Sequence, residues 1–219
     1  QCAIANMLHI GLGVKRNEQE ALLWYQKAAE KGHPEALHML GNAYYWGLLG
    51  VSVNFKRAVE LYQKPADLGK LDSLYNLGCI YRSGFTMEDW KYHNRRSGEL
   101  IVGNLREVLA LLFEPEKQKA LDYFEKAAAL GDAQAMCCLG EMYENEEVAA
   151  PTSSDSRSEA LNWYGKAAER KNTLATQRLA RLTGDTSRAS KSDHRLEPIN
   201  LEDAAALNHG DVVVGLTEL

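Results

Sequence analysis

The sequence predicts an all-α fold, an αα-superhelix (solenoid) of about four to five stacked helix hairpins. Three observations predict it. One phrase occurs four times, as Ala21-Leu-Leu-Trp-Tyr-Gln-Lys-Ala-Ala29, Ala58-Val-Glu-Leu-Tyr-Gln-Lys-Pro-Ala66, Ala120-Leu-Asp-Tyr-Phe-Glu-Lys-Ala-Ala128 and Ala160-Leu-Asn-Trp-Tyr-Gly-Lys-Ala-Ala168. A second phrase precedes three of them: Leu40-Gly41-x-x-Tyr44, Leu77-Gly78-x-x-Tyr81 and Leu139-Gly140-x-x-Tyr143. The spacing is nearly constant, with 37 residues from Gly41 to Gly78 and from Ala21 to Ala58, and 40 from Ala120 to Ala160. Recurrence at such a period marks an array whose units share a core with their neighbours.

Each unit reads as two helices. Ala36, Leu40 and Tyr44 lie four residues apart and share one helix face. Gly41, beside Leu40, costs a helix about 1 kcal/mol against alanine, so its presence implies close approach by a second helix. The Trp24-Tyr25 phrase supplies that helix. Within it Ala21, an aromatic and Ala28 recur at three- and four-residue spacing, while Lys27 and Glu30 face water. Gly32, Gly69 and Gly131 end these second helices as left-handed caps. Pro34 suits the opening turn of the helix that follows. In chain order, helices are expected near 1–10, 18–31, 34–46, 55–68, 72–83, 117–130, 133–144, 157–170 and 173–183.

Departures from the repeat carry their own expectations. Counting back from Gly11, Ile4 and Ala5 take the Leu-Gly places and the preceding alanine would fall before Gln1, so further repeats are expected ahead of this segment. Pro65 replaces an alanine inside a helix, where it removes a hydrogen bond and crowds the previous turn. The 55–68 helix is therefore expected to kink or to end early. Lys171-Asn172 replaces the glycine cap, and the last unit keeps only Ala175, Leu179 and Ala180, as a terminal capping unit would. Ala58 and Ala120 are 62 residues apart, more than one period, which places an insertion at about 85–116, between the two helices of the third unit.

The pattern Ala-x3-Leu-Gly-x2-Tyr-x2-Gly, then Gly-Val-x2-Asn, then Ala-x2-Trp-Tyr-x-Lys-Ala-Ala-Glu-x-Gly resembles the Sel1-like repeat, a relative of the tetratricopeptide repeat. Gly11-Leu12-Gly13-Val14 and Gly50-Val51 match its inter-helix loop, and the resemblance covers residues 1–184. It implies an αα-superhelix that serves as an adaptor for protein complexes; members take part in endoplasmic-reticulum-associated degradation, in activating cell-wall synthases and in signalling. The favoured function is a non-catalytic scaffold or adaptor that binds a protein or peptide segment in the concave groove. The alternative is a regulatory or substrate-docking segment of a larger enzyme or ubiquitin-ligase complex, with catalysis outside this chain.

The groove is expected on the first helix of each hairpin. With Leu40 in the core, residues two before, two after and five after it point away from that core. They are His38, Asn42 and Tyr45; the same rule gives Tyr75, Cys79 and Arg82 in the third unit, and Cys137, Glu141 and Glu144 in the fourth. A secondary contact loop is expected in the insertion, where Trp90, Tyr92, Arg95 and Arg96 combine residue types that dominate interface hot spots. After it, Asn104 and Glu107 form a capping box for a helix striped with Leu105, Val108, Leu109 and Leu112. A mobile linker is expected at about 145–157, and a mostly disordered tail over 185–219 with a short helix at 200–209.

Composition narrows the partner classes. The 219 residues are 45% hydrophobic with a net charge of −5, so nothing points to nucleic acid or an anionic membrane. The longest apolar run, Val108 to Phe113, is too short to span a bilayer. No phosphate-cradling Gly-x4-Gly-Lys motif occurs, and no catalytic, metal or cofactor residues are assigned. Cys2, Cys79, Cys137 and Cys138 fit neither a zinc site nor a redox pair. Some bacterial Sel1-like proteins resemble penicillin-binding enzymes in activity and carry a cysteine pair in every repeat; this chain lacks those pairs. Unpaired cysteines without an Asn-x-Ser/Thr sequon favour the cytoplasm, with the endoplasmic-reticulum lumen as the alternative.

Overall fold

The computed structural model describes residues 1–84, 114–151 and 154–184. Among them the structure is all-helical: α1 Cys2–Ile10, α2 Glu18–Glu30, α3 Pro34–Trp46, α4 Phe55–Asp67, α5 Leu71–Ser83, α6 Lys117–Ala129, α7 Ala133–Glu144, α8 Ser156–Glu169 and α9 Thr173–Thr183. These are the helices that the repeat phasing predicts, within a residue or two at each end. The loop carrying Trp90, Tyr92, Arg95 and Arg96, the Leu105–Leu112 stripe and the helix expected at 200–209 lie outside the described residues.

Local sequence starts and stops each helix. Asn17, Asn54, Asp155 and Asn172 cap α2, α4, α8 and α9 by accepting the backbone N–H groups of Glu20, Arg57, Ser158 and Ala175. At the other end, α2, α4, α6 and α8 close with one repeated bond. The N–H of His33, Lys70, Asp132 and Asn172 donates to the carbonyl of Ala28, Pro65, Ala127 and Ala167 at 2.9–3.1 Å. That closure needs a left-handed residue just before the donor. Gly32, Gly69 and Gly131 supply it with φ of 75°, 80° and 95°, and Lys171 adopts the same conformation at 64° despite its side chain.

Pro65 does not shorten its helix. α4 continues through it to Asp67, which corrects the expected early end. The proline stands in the last turn, where its ring deprives only the Leu61 carbonyl of a partner, and it is among the fully buried side chains.

The core forms where the two helices of a hairpin touch. Tyr25, Tyr62, Phe124 and Tyr164 occupy one repeat position, and all four are completely buried. A Cβ added to Gly41 would lie 2.5 Å from the Tyr62 ring, one at Gly78 2.5 Å from Phe124, and one at Gly140 2.7 Å from Tyr164. The Leu-Gly phrase is thus the seat of the aromatic on the partner helix. Successive hairpins then stack, α2 on α3, α4 on α5, α6 on α7 and α8 on α9.

Candidate partner-binding face

The first helices of three hairpins, α3, α5 and α7, carry the residues singled out above, and α9 follows them as the first helix of the next unit. Residues that follow the seat glycine meet the hydroxyl of the buried aromatic. Tyr25 donates to Asn6 Oδ1 at 2.6 Å and Tyr62 donates to Asn42 Oδ1 at 2.6 Å. In the third unit Cys79 holds the asparagine's place, and the aromatic there is Phe124, which has no hydroxyl to satisfy. In the fourth, Tyr164 donates to Glu144 Oε2 at 2.7 Å while Glu141 is engaged elsewhere. A buried hydroxyl without an acceptor costs about 1–3 kcal/mol, so loss of the acceptor and loss of the donor belong together.

Between α3 and α5 the bonding along the middle of the helices is uncharged, and the Lys70–Glu35 ion pair lies at their openings. Asn42 Oδ1 also accepts from Asn76 Nδ2 at 3.2 Å, so its amide nitrogen turns to His38 Nε2, 3.2 Å away. His38 Nδ1 is 2.8 Å from Ser73 Oγ and donates to it, which makes the imidazole neutral. Burial holds His38 well below the usual histidine range, at about 4, and the Lys70 charge lowers it further against Asp72 and Glu35. Lys70 itself pairs with Glu35 at 2.8 Å and Asp72 at 3.2 Å, at the helix openings.

Between α5, α7 and α9 the bonding is ionic. Arg82 reaches Glu147 at 2.7 Å through one guanidinium nitrogen and 3.1 Å through another, and Glu141 at 3.0 Å through the third. Lys117 adds a second cation to Glu147 at 2.8 Å. Arg178 lies 3.9 Å from Glu141 and 3.8 Å from Glu144, and Arg181 also pairs with Glu144. Burial by itself would raise the Glu147 carboxyl; the hydrogen bonds from Arg82 and Lys117 outweigh it and hold the group at about 2.

The groove rule therefore selects residues that bond to one another. Asn42, Tyr45, Tyr75, Cys79, Arg82, Glu141 and Glu144 are half-buried on these helices. His38 and Cys137 are buried, at 6% and 1% exposure, which corrects their placement on an open wall. The cause is stacking: the next hairpin closes over a position that a single helix would leave free. Sequence reasoning missed Ser73, Asn76, Lys117, Glu147, Arg178 and Arg181. Ser73 stands where Ala36 and Ala135 stand, and a polar residue at a core alanine position signals a buried partner. Extending the rule to Leu179 would have found Arg181. Glu147 lies in the segment expected to be a mobile linker, and nothing in the repeat marks it.

A model of the Sel1 repeat matches residues 1–33, 34–70, 71–88, 114–132 and 133–172. Those spans take in more than half of the sequence, and the chain belongs to the Sel1 repeat family. Sel1 repeats are generally protein–protein interaction scaffolds, and the family is typically non-catalytic. No curated protein matches the sequence. Among solved structures the chain is similar to a Sel1 repeat protein from Oxalobacter formigenes, at 25% identity and a TM-score of 0.60, covering 82% of this chain and 61% of that one. It is also similar to a protective antigen of uropathogenic Escherichia coli strains that displays an SLR fold, at 25% identity and a TM-score of 0.42, covering 84% and 41%. The chain spans less than two thirds of the length of either. Among the described residues no helix is long and apolar enough to cross a membrane.

Proposed function

We propose that the chain is a non-catalytic scaffold holding a protein or peptide segment along the concave face of α3, α5, α7 and α9. One observation supports this above the rest. The polar side chains of these four helices, with Glu147 just beyond α7, form two bonded clusters, Ser73–His38–Asn42–Asn76 and Glu147–Arg82–Glu141–Arg178–Glu144. Side chains already fastened to the neighbouring unit need little further ordering when a partner lies along them. Half-exposed Tyr45 and Tyr75 offer aromatic surface at one end; Arg178 and Arg181 offer charge at the other, and both residue types dominate interface energetics. The loop bearing Trp90, Tyr92, Arg95 and Arg96 is proposed as a secondary contact from its residue types. Burial pushes Cys79 to about 11 and Cys137 to about 12, which keeps both thiols protonated near neutral pH and disfavours a thiolate nucleophile at either.

The test has two stages. Affinity capture with the chain as bait identifies a partner, which is then titrated against two variants. Tyr45→Ala with Arg181→Glu is expected to weaken binding roughly tenfold or more, with helicity unchanged. Leu23→Glu with Lys27→Glu, both on the exposed side of α2, is expected to leave it unchanged. Undiminished affinity in the first variant with loss in the second would reverse the assignment.

A further inference from the structure

The ionic layer between α5, α7 and α9 is not balanced. Its carboxylates are Glu141, Glu144 and Glu147, and its cations are Arg82, Lys117, Arg178 and Arg181. Hydrogen-bonded pairs assign each carboxylate a cation: Arg82 with Glu141 at 3.0 Å, Lys117 with Glu147 at 2.8 Å, and Arg181 with Glu144. Arg178 is the cation left over. Its guanidinium stops 3.9 Å from Glu141 and 3.8 Å from Glu144, beyond hydrogen-bond reach, and among the described residues it makes no hydrogen bond. Both oxygens of Glu144 are already taken, by Tyr164 and Arg181. Glu146, in the turn after α7, is exposed and joins none of these pairs. A guanidinium carries five N–H donors in a planar fork, and at Arg178 that fork is idle on a side chain only 36% exposed.

We propose that Arg178 is the docking point for one acidic side chain, an Asp or Glu within an extended segment of the partner. The inference rests on the concave-face reading above and names the chemistry of what that face holds. Charge selects a monoanion. One added carboxylate brings the layer to four groups of each sign, whereas a phosphate dianion would set a second negative charge beside Glu141 and Glu144. Geometry selects a carboxylate, whose two oxygens accept the guanidinium fork together. Depth selects a side chain over a chain terminus. Arg178 is half-buried between Glu141 and Glu144. A methylene stem carries an acid to it while the partner's backbone stays clear of both carboxylates. The layer between α3 and α5 offers no such group, because His38, Ser73, Asn42 and Asn76 are bonded to one another.

The full chain is screened against a random library of peptides acetylated and amidated at their ends, so that no terminal charge contributes, and against a second library with free C-termini. Enriched capped peptides are expected to share an Asp or Glu at one fixed position. Replacing that acid by its amide in the best binder should weaken it roughly tenfold or more, a change that cannot disturb the fold of the chain. Arg178→Ala should cost the same factor, and in that variant the amide peptide should bind no worse than the acid, so that a double-mutant cycle shows the two losses to be one. Arg178→Lys keeps the charge without the fork and should weaken the acid peptide roughly threefold. Enriched peptides without an acid that still lose affinity in Tyr45→Ala would overturn the role of Arg178 and leave the concave-face reading standing. Enrichment only in the library with free C-termini, dependent on Arg178, would overturn the side-chain assignment in favour of a chain terminus. Peptides indifferent to both Tyr45→Ala and Arg178→Ala, or no enriched peptide at all, would overturn both readings.

Discussion

Between α3 and α5, the residues at the centre of the joint are a histidine, a serine, two asparagines and a tyrosine hydroxyl, all neutral. Between α5, α7 and α9 they are three arginines, a lysine and three glutamates. Both joints rest on the same frame, in which a seat glycine receives a buried ring: Gly41 under Tyr62, Gly78 under Phe124, Gly140 under Tyr164. The comparison separates two kinds of information in a repeat. The frame recurs because every hairpin must close in the same way. The polar layer is free to differ, provided that each buried donor finds an acceptor and each buried charge a partner.

The ionic joint is the more fragile to truncation. Arg82→Ala removes the shared cation of Glu141 and Glu147, whose side chains are only 21% and 17% exposed. Two carboxylates then lose their principal partner in a poorly solvated place, and a loss of roughly 2–4 kcal/mol is expected in denaturant unfolding. Added salt should narrow the difference between wild type and variant, since it screens the charges left behind. His38→Gln, which keeps hydrogen-bonding groups at the neutral joint, should lose less and show no such salt dependence. An Arg82→Ala variant as stable as wild type would mean that the lattice is surface decoration.

The two joints should also yield to acid at different pH values. His38 titrates at about 4 when folded against 6.5 unfolded, so its contribution is complete above pH 6.5 and is lost as pH falls towards 4. Lowering the pH from 7 to 5 should remove about 2 kcal/mol by this route, and His38→Gln should abolish that loss. Glu147 titrates at about 2 when folded against 4.5 unfolded, so its contribution is present above pH 4.5 and is lost only as pH falls towards 2. Hydrogen exchange followed against pH should show α3 and α5 opening first and α7 later. Simultaneous opening of all the helices in one pH window would refute the separation.

The smallest effect concerns the one seat whose ring lacks a hydroxyl. Phe124→Tyr brings a hydroxyl towards Cys79 rather than an asparagine, and should cost about 1–2 kcal/mol. Cys79→Asn in the same chain should recover part of that loss, and a double-mutant cycle should show the two changes to be coupled. Strict additivity would mean that the pairing of Asn42 with Tyr62, and of Asn6 with Tyr25, is incidental to the repeat.

The helices, their glycine C-caps and the face each buries were legible in the sequence, because they depend on contacts within a few residues and repeat at a fixed period. Gly41 announced a close helix before any neighbour was known, and the paired aromatics identified that neighbour. The groove rule also found Asn42, Arg82 and Glu141 from helical geometry alone. Their bonding partners were not legible. Arg82 meets Glu147 across 65 residues of chain, and His38 meets Ser73 across 35. Which neighbour a side chain reaches is decided only when hairpins stack, because stacking sets the distance between successive first helices. It also buries His38 and Cys137 at positions that a lone helix would leave open, and it spares α4 from Pro65 by placing the ring in the core at the helix's last turn.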